Sequence, residues 1–427
     1  MNKRISCAIF AVAFMTGAFG QTSLNSPYSQ YGIGRLADQS QSFSRGMAGA
    51  SLGIREGNVI NTLNPASYSA IDSLTMLFDM GISGQATQFS EKSNGVTKRV
   101  NGKNASFDYF TASFRLLPKV GMTLGILPYS NVGYKYTVKN YIDQTNGTVT
   151  ETHTGDGGLH QVLLGTGWQI SKPLSLGVNV SYLWGTTNGS VTTSSTTNIQ
   201  SLSRQYTAEV RSYKVDFGLQ YIHQLDKNNE LTLGATVGLG HKLGADPTCQ
   251  VINVTNADTT RYEVKNGLSI PMTYAVGAAW KHDNRLIVDA DFTMQQWGSV
   301  DFPGIDASGQ YVAQSDLLRN SYQVKVGADF VPNAMDHRRF YRRVHYKLGL
   351  SYTTPYYNIN GKSGPKEFGV SAGFGIPLQN SYNNRSMLNV SAQWVHLGSS
   401  DLITENIFRI SVGLTFNERW FAKWKVN

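Results

Sequence analysis

Residues Asn61–Ser83, NTLNPASYSAIDSLTMLFDMGIS, change pattern halfway along. The first half is nearly uncharged and turn-rich around Asn64-Pro65-Ala66. From Leu74 onward, every second residue is apolar. Leu74, Met76, Phe78, Met80 and Ile82 share one face, and Thr75, Asp79, Gly81 and Ser83 the other. A period of two is that of a β-strand with one face in an apolar medium.

The same comb returns at 174–184, 213–221, 231–239, 286–292, 324–330, 344–352 and 408–416. A soluble β-sandwich and a membrane barrel both produce such combs. Here the apolar faces begin or end in aromatics: Trp168, Tyr182, Trp184, Tyr221, Trp280, Trp394, Phe416. Aromatic girdles mark a lipid–water interface, and the polar faces of Gly, Ser, Thr and Asn suit a lumen. A closed barrel is the β architecture that pairs every backbone group inside a bilayer. The pattern therefore predicts an all-β fold, an antiparallel transmembrane barrel. Short turns near 116–120, 171–173, 226–229 and 282–284 alternate with expected polar loops at 88–104, 141–156, 186–204, 242–268 and 297–318.

Strand counting gives fourteen or fifteen. The ambiguity lies in GMTLGILPYSNVGYKYTVKN, where Pro128 marks either a tight turn or a break within one strand. Single-chain bacterial barrels have even numbers of strands, which favours about 14 and a strand kinked around Gly125, Pro128, Tyr129 and Asn131. Such a kink would open a lateral gap in the wall.

The N-terminus reads as a secretory leader: basic Asn2-Lys3-Arg4, an apolar core too short to span a bilayer, and Ala18-Phe19-Gly20 before a cleavage point near Gly20. Of two cysteines only Cys249 lies beyond it, so no internal disulfide is expected. The net charge is +9, but Lys and Arg are scattered without a basic patch interleaved with aromatics. That argues against a nucleic-acid partner. The expected organisation is leader 1–20, an N-terminal plug 21–72, barrel 73–416 and a basic-aromatic tail 417–427 at the periplasmic interface. Residues 21–72 are rich in Gly and Ser yet carry Tyr28, Phe43, Met47, Leu52, Ile54 and Tyr68, more apolar anchors than a free tail needs. Strand glycines such as Gly177, Gly234 and Gly373 leave room for them.

Few residues point to chemistry. Gly369-Val370-Ser371-Ala372-Gly373 matches G-x-S-x-G but lies mid-strand, whereas a nucleophile elbow needs a strand–turn–helix. The histidines lack metal spacing, and Gly32-Ile33-Gly34 lacks a βαβ context. No enzyme, metal or cofactor is expected. Charges expected on lumenal faces are Asp79, Lys214, Asp216, Asp289, Asp291, Lys325, Asp329, Lys347 and Arg409. Their bland role is to pair and pin the plug; the sharper one is selectivity.

An N-terminal segment ending in Asn64-Pro65-Ala66, then GILPYSNVGY, LSLGVNVSYLWG, LIVDADFTMQQW and YKLGLSYTTPYY, resembles the FadL/TodX-type transporters of hydrophobic compounds. SPYSQYGIG and FNERWFAKWK resemble their Bacteroidota branch. The resemblance implies a fourteen-stranded barrel in the outer membrane of a Gram-negative cell, a hatch carrying Asn64, Pro65 and Ala66, and a kinked third strand opposite it. It implies passive uptake of a small hydrophobic ligand, lipid or detergent. The rival class is a non-transporting accessory subunit of an outer-membrane secretion or protein-assembly machine, with other outer-membrane proteins as partners. The polar external loops depart from a lipid-gathering surface.

Overall fold

Fourteen strands carry the alternation: β1 (Thr75–Ser93), β2 (Val96–Leu117), β3 (Val120–Ile142), β4 (Gly147–Gln169), β5 (Leu174–Ser195), β6 (Leu202–Gln224), β7 (Asn229–Gly238), β8 (Thr273–His282), β9 (Leu286–Gln295), β10 (Ser321–Phe330), β11 (His345–Thr353), β12 (Lys366–Leu378), β13 (Ser386–Gly398) and β14 (Thr404–Arg419). The computed structural model describes residues 25–93, 96–142, 147–195, 201–253, 258–306, 308–336, 338–378, 386–399 and 402–419. The expected leader, 1–20, and the tail aromatics Trp420, Phe421 and Trp424 lie outside the described residues. Each strand pairs antiparallel with its neighbour in sequence, and β1 pairs with β14 from Thr75↔Arg419 to Ser90↔Thr404, closing the barrel.

The wall is built inside out relative to a soluble protein. Leu348 is 66% exposed and Leu350 52%, while lumenal Asp79 and Ser371 are buried. Trp168, Tyr182, Tyr221, Phe330, Trp394 and Phe416 join them outside. A continuous apolar belt on a closed antiparallel wall is stable in lipid and not in water. No helix among the described residues is long and apolar enough to cross a membrane.

Three of the expected loops are not loops. Residues 88–93, 96–104, 147–156, 186–195 and 202–204 extend strands β1, β2, β4, β5 and β6. At ~3.3 Å rise per residue and ~40° tilt, a 22-residue strand stands roughly 55 Å tall, against an apolar band of ~25 Å. The extensions meet water on both faces, so they need no apolar alternation, and their Thr and Val residues favour extended backbone. The regions 242–268 and 297–318 do behave as connections, with short pairings such as Thr248–Asn253 with Thr259–Glu263.

Pro128 lies within one unbroken strand. On β3, Pro128 faces His160 and Ser130 faces Leu159, so Tyr129 is the extra residue of a bulge. Proline supplies no ladder N–H, and a bulge is where a strand tolerates that.

Candidate functional site: the plugged lumen and the β2–β3 seam

Residues 40–71 fill the half of the lumen nearer the short turns. A helical turn at Ser42–Arg45 and a 3₁₀ turn at Pro65–Ala70 are their only regular elements. Arg45 pairs with Asp108 on β2 and lies 5.5 Å from the centre of the Tyr109 ring. Asp79 on β1 accepts from Ser42 Oγ (3.2 Å), the Tyr109 hydroxyl (3.2 Å) and Thr415 Oγ1 (3.3 Å). Lys347 on β11 donates to the Phe43 carbonyl at 2.6 Å and lies 3.9 Å from Asp329, which also meets His345 at 3.0 Å. Asp291 on β9 accepts the Ser51 and Leu52 amides (2.7 and 3.1 Å). Buried charges of this kind are stable only when paired and hydrogen-bonded.

Asn64 shows why its residue type matters. Its side chain accepts from the Ala66 amide (3.2 Å), capping the 3₁₀ turn, and donates to Leu52 O (3.0 Å) and to Leu219 O on β6 (3.1 Å). Pro65 opens that turn, where a missing N–H costs nothing. A Cβ on Gly177 would overlap Pro65, and one on Gly121 would overlap the Tyr68 carbonyl. The lumenal glycines are therefore sockets for this segment. Ser371 likewise holds the floor in place, accepting the Ala48 amide at 2.7 Å and donating to Gly46 O at 2.9 Å.

The expected kink contact is made by other residues. Gln39, rather than Asn64–Ala66, reaches Pro128, donating to its carbonyl at 2.8 Å. Residues 25–39 run along the free edge of β3: Ala37 N–H to Tyr129 O (3.0 Å), Arg35–Leu36 paired with Asn131 and Ser130, Gly133 N–H to Ser29 Oγ (3.0 Å), and Ser26 N–H to Gly133 O (2.9 Å). On the other side, the amides of Asn25 and Asn104 of β2 meet at 3.0 Å. This latch therefore bridges β2 and β3.

It has a gap to bridge. β2 and β3 pair only from Leu117↔Val120 to Phe110↔Ile126. Beyond Phe110, β2 continues on β1 alone, and beyond Ile126 β3 continues on β4. Both strands bulge at the parting point: Gly81 faces Tyr109 and Ile82 faces Phe107, leaving Asp108 extra on β2, opposite the Tyr129 bulge of β3. The β2 bulge turns Asp108 and Tyr109 together into the lumen, which is how one strand supplies both partners of Arg45. Neither bulge residue on β2 was singled out from sequence; the run Phe107-Asp108-Tyr109-Phe110, which breaks the alternation, is the signal.

A cavity of about 1490 Å³ lies above the packed floor. Lys214 and Asp216, a close pair on β6, line it with Asp291, Lys325 and Arg409, whose guanidinium donates to Gln85 at 3.1 Å. Asp289 is buried behind Asp291 and does not reach the cavity. Burial acts to raise the carboxyl of latch residue Asp38, but Lys325, then Arg45 and the Ser40 amide, outweigh it and hold that carboxyl below its ordinary value. Where β2 and β3 part, the same cavity is lined by Phe110, Ile126, Leu127 and Pro128. Overhead, Tyr28 and Ile33 of the latch pack with Trp297, Leu318, Tyr356 and Tyr357 from the long connections into an apolar cap.

Solved structures with this fold include a Pseudomonas aeruginosa FadL homologue (TM-score 0.62, 11% identity, covering 90% of this chain and 99% of that one). The Pseudomonas putida toluene transporter TodX gives 0.59 at 17% identity, covering 92% and 99%. The CymD monoaromatic hydrocarbon channel gives 0.57 at 12%, again 92% and 99%. At such identities the likeness speaks for the fold alone. No curated protein matches the chain. A family model described as BamG matches residues 1–427.

Proposed function

The chain belongs to the BamG family, and from the geometry of its seam we propose an outer-membrane barrel for passive passage of small hydrophobic ligands through its side. The observation that carries this reading is the parting of β2 and β3 beyond Phe110 and Ile126, at a place where Phe110, Ile126 and Pro128 line the lumenal cavity. The floor, 40–71, is bonded to strands on every side, and the cap closes the mouth. The side is the least obstructed way in.

In this reading residues 1–20 are a cleaved leader and 21–72 the gating segment. Within it Asn64, Pro65 and Ala66 hold the floor, while the latch controls the opening at Pro128. The tail 417–427 rests at the periplasmic interface. The backbone edge of β3 exposed by the opening is satisfied by the latch, because an unpaired edge in lipid costs several kcal/mol per group. Release of the latch is then the gating step.

A disulfide tests this. In a Cys249→Ser background, Asn25→Cys with Asn104→Cys places thiols at the meeting point of latch and β2. Oxidation should stop uptake of a small aromatic probe by proteoliposomes, and reduction should restore it. Equal uptake in both states sinks the lateral route.

Family membership and the tightly bonded floor favour one second reading, a non-transporting accessory subunit of an outer-membrane protein-assembly machine. It expects another outer-membrane protein to co-purify in fixed ratio and uptake to be absent in the reduced disulfide variant as well.

A further inference from the structure

Four cations frame the lateral opening on its outward face. On β2, Ser106 and Asn104 turn inward to Asp108 and Asn25, so Ala105, Lys103, Asn101 and Arg99 face outward. On β3, Tyr136 turns inward to Gln30 of the latch (2.8 Å), so Lys135, Thr137 and Lys139 face outward. Arg99, Lys103, Lys135 and Lys139 are all exposed.

Their neighbours on the wall do not neutralise them. Lys103 stands opposite Ala86 and Arg99 opposite Ser90 on β1; Lys135 stands opposite Thr154 and Lys139 opposite Thr150 on β4. A carboxylate directly opposite would stabilise each of them, and none stands there. Among the described residues, none of the four belongs to an ion pair. Clustered like charge on two facing lips builds a positive potential.

Their height gives the ligand its second half. The outward apolar run ends at Ile82, Phe107 and Ile126. Lys103 is four positions beyond Phe107, which at ~3.3 Å per residue and ~40° tilt is ~10 Å higher, and Arg99 is ~20 Å higher. By the same rise Lys135 and Lys139, nine and thirteen positions beyond Ile126 on β3, fall about 5 Å above Lys103 and Arg99, so the four alternate up the seam. Apolar lips surmounted by unpaired cations fit one molecule that carries both characters.

We propose that the seam is loaded from the outward leaflet by an amphiphile with a phosphorylated headgroup. Its phosphates are held between Arg99 and Lys103 on one lip and Lys135 and Lys139 on the other, and its acyl chains lie against Ile82, Phe107 and Ile126. Guanidinium takes phosphate in a two-pronged bond and ammonium takes it as a point charge. The inference rests on the lateral reading of the seam, but its test reads equilibrium binding and not passage, so a failed uptake assay leaves it standing or falling by itself.

The full chain in neutral detergent, with a fluorophore on Ala105→Cys in the Cys249→Ser background, is titrated with bisphosphorylated lipid A, its fully dephosphorylated form, inorganic phosphate and a polyglutamate peptide. Lipid A should bind at least tenfold more tightly than the dephosphorylated form, with no response to millimolar phosphate and none to the peptide. Arg99→Gln/Lys103→Gln/Lys135→Gln/Lys139→Gln should lose at least tenfold while the barrel still assembles. A control removing Lys119, Lys172, Lys227 and Arg285 at the short-turn end should lose nothing. Equal binding by the four-glutamine variant, equal loss in the control, or equal capture of phosphate or peptide overturns the proposal.

Discussion

The barrel has two junctions worth setting side by side: β14 against β1, and β2 against β3. The first joins strands more than three hundred residues apart, with no turn to guide them, yet pairs without interruption from Thr75↔Arg419 to Ser90↔Thr404. The second is a hairpin with a two-residue connection, yet pairing ends after Phe110↔Ile126. Loop-closure entropy favours the local pair, so chain connectivity cannot explain the difference. What differs is that β2 and β3 each carry a bulge at the parting point, and that the chain supplies its own latch for the exposed edge. The opening is built into the wall.

The sharpest way to break the comparison is proline substitution. Val412 of β14 has a paired strand on both sides, so Val412→Pro removes a ladder bond whichever way its N–H points. Destabilisation of several kcal/mol is expected, because the partner group is left unsatisfied in the bilayer, seen as loss of the heat-modifiable folded band on electrophoresis. On β3, both the N–H and C=O of Gly133 point to the seam, where the latch takes them. By alternation Thr137 directs its N–H the same way, above the latch. Thr137→Pro should therefore assemble as wild type; a matching loss in both variants would mean that the upper seam is paired in the membrane.

A smaller effect is expected from the floor. Gly177→Leu drives a side chain into Pro65 and Ala66, and overpacking of this kind costs ~1–3 kcal/mol. The wall should persist while amides of 61–71 exchange faster with solvent, read by hydrogen–deuterium exchange, and the latch should be unaffected. Loosening of 25–39 to the same degree would show that floor and latch move as one body.

The smallest effect concerns Asp38. Its carboxyl is held below the ordinary value of ~3.9, so its contribution to latch docking is fully present above about pH 4 and is lost as pH falls through the lowered value. Exchange of latch amides should be flat from pH 7 to 5 after correction for intrinsic rates and should rise only once the pH falls below the ordinary carboxylate range. Asp38→Asn should flatten that rise; an unchanged acid response would place the sensitivity elsewhere.

Legibility from sequence varied with the range of the interaction. The period-two comb at Leu74–Ile82 needs only neighbours on one strand, and it announced barrel, belt and lumenal face together. Asn64-Pro65-Ala66 announced a local turn, but not that Asn64 would reach Leu219 across the lumen. The polar runs near 88–104 and 186–204 read as loops because strands that meet water on both faces lose the alternation by which strands are recognised. The seam cations illustrate the converse. Arg99, Lys103, Lys135 and Lys139 look scattered along the chain, and only the β2–β3 hairpin brings them to two facing lips.

By itself, then, the sequence determined an all-β chain of about fourteen membrane-facing strands with room inside for its N-terminal segment, because side-chain alternation is a property of each strand alone. Only the tertiary structure decided where the wall parts, that Gln39 and not Asn64 meets Pro128, and that four distant cations share one opening. Those outcomes depend on register and on which edge is left unpaired, and both are settled between strands, where no single stretch of sequence carries the information.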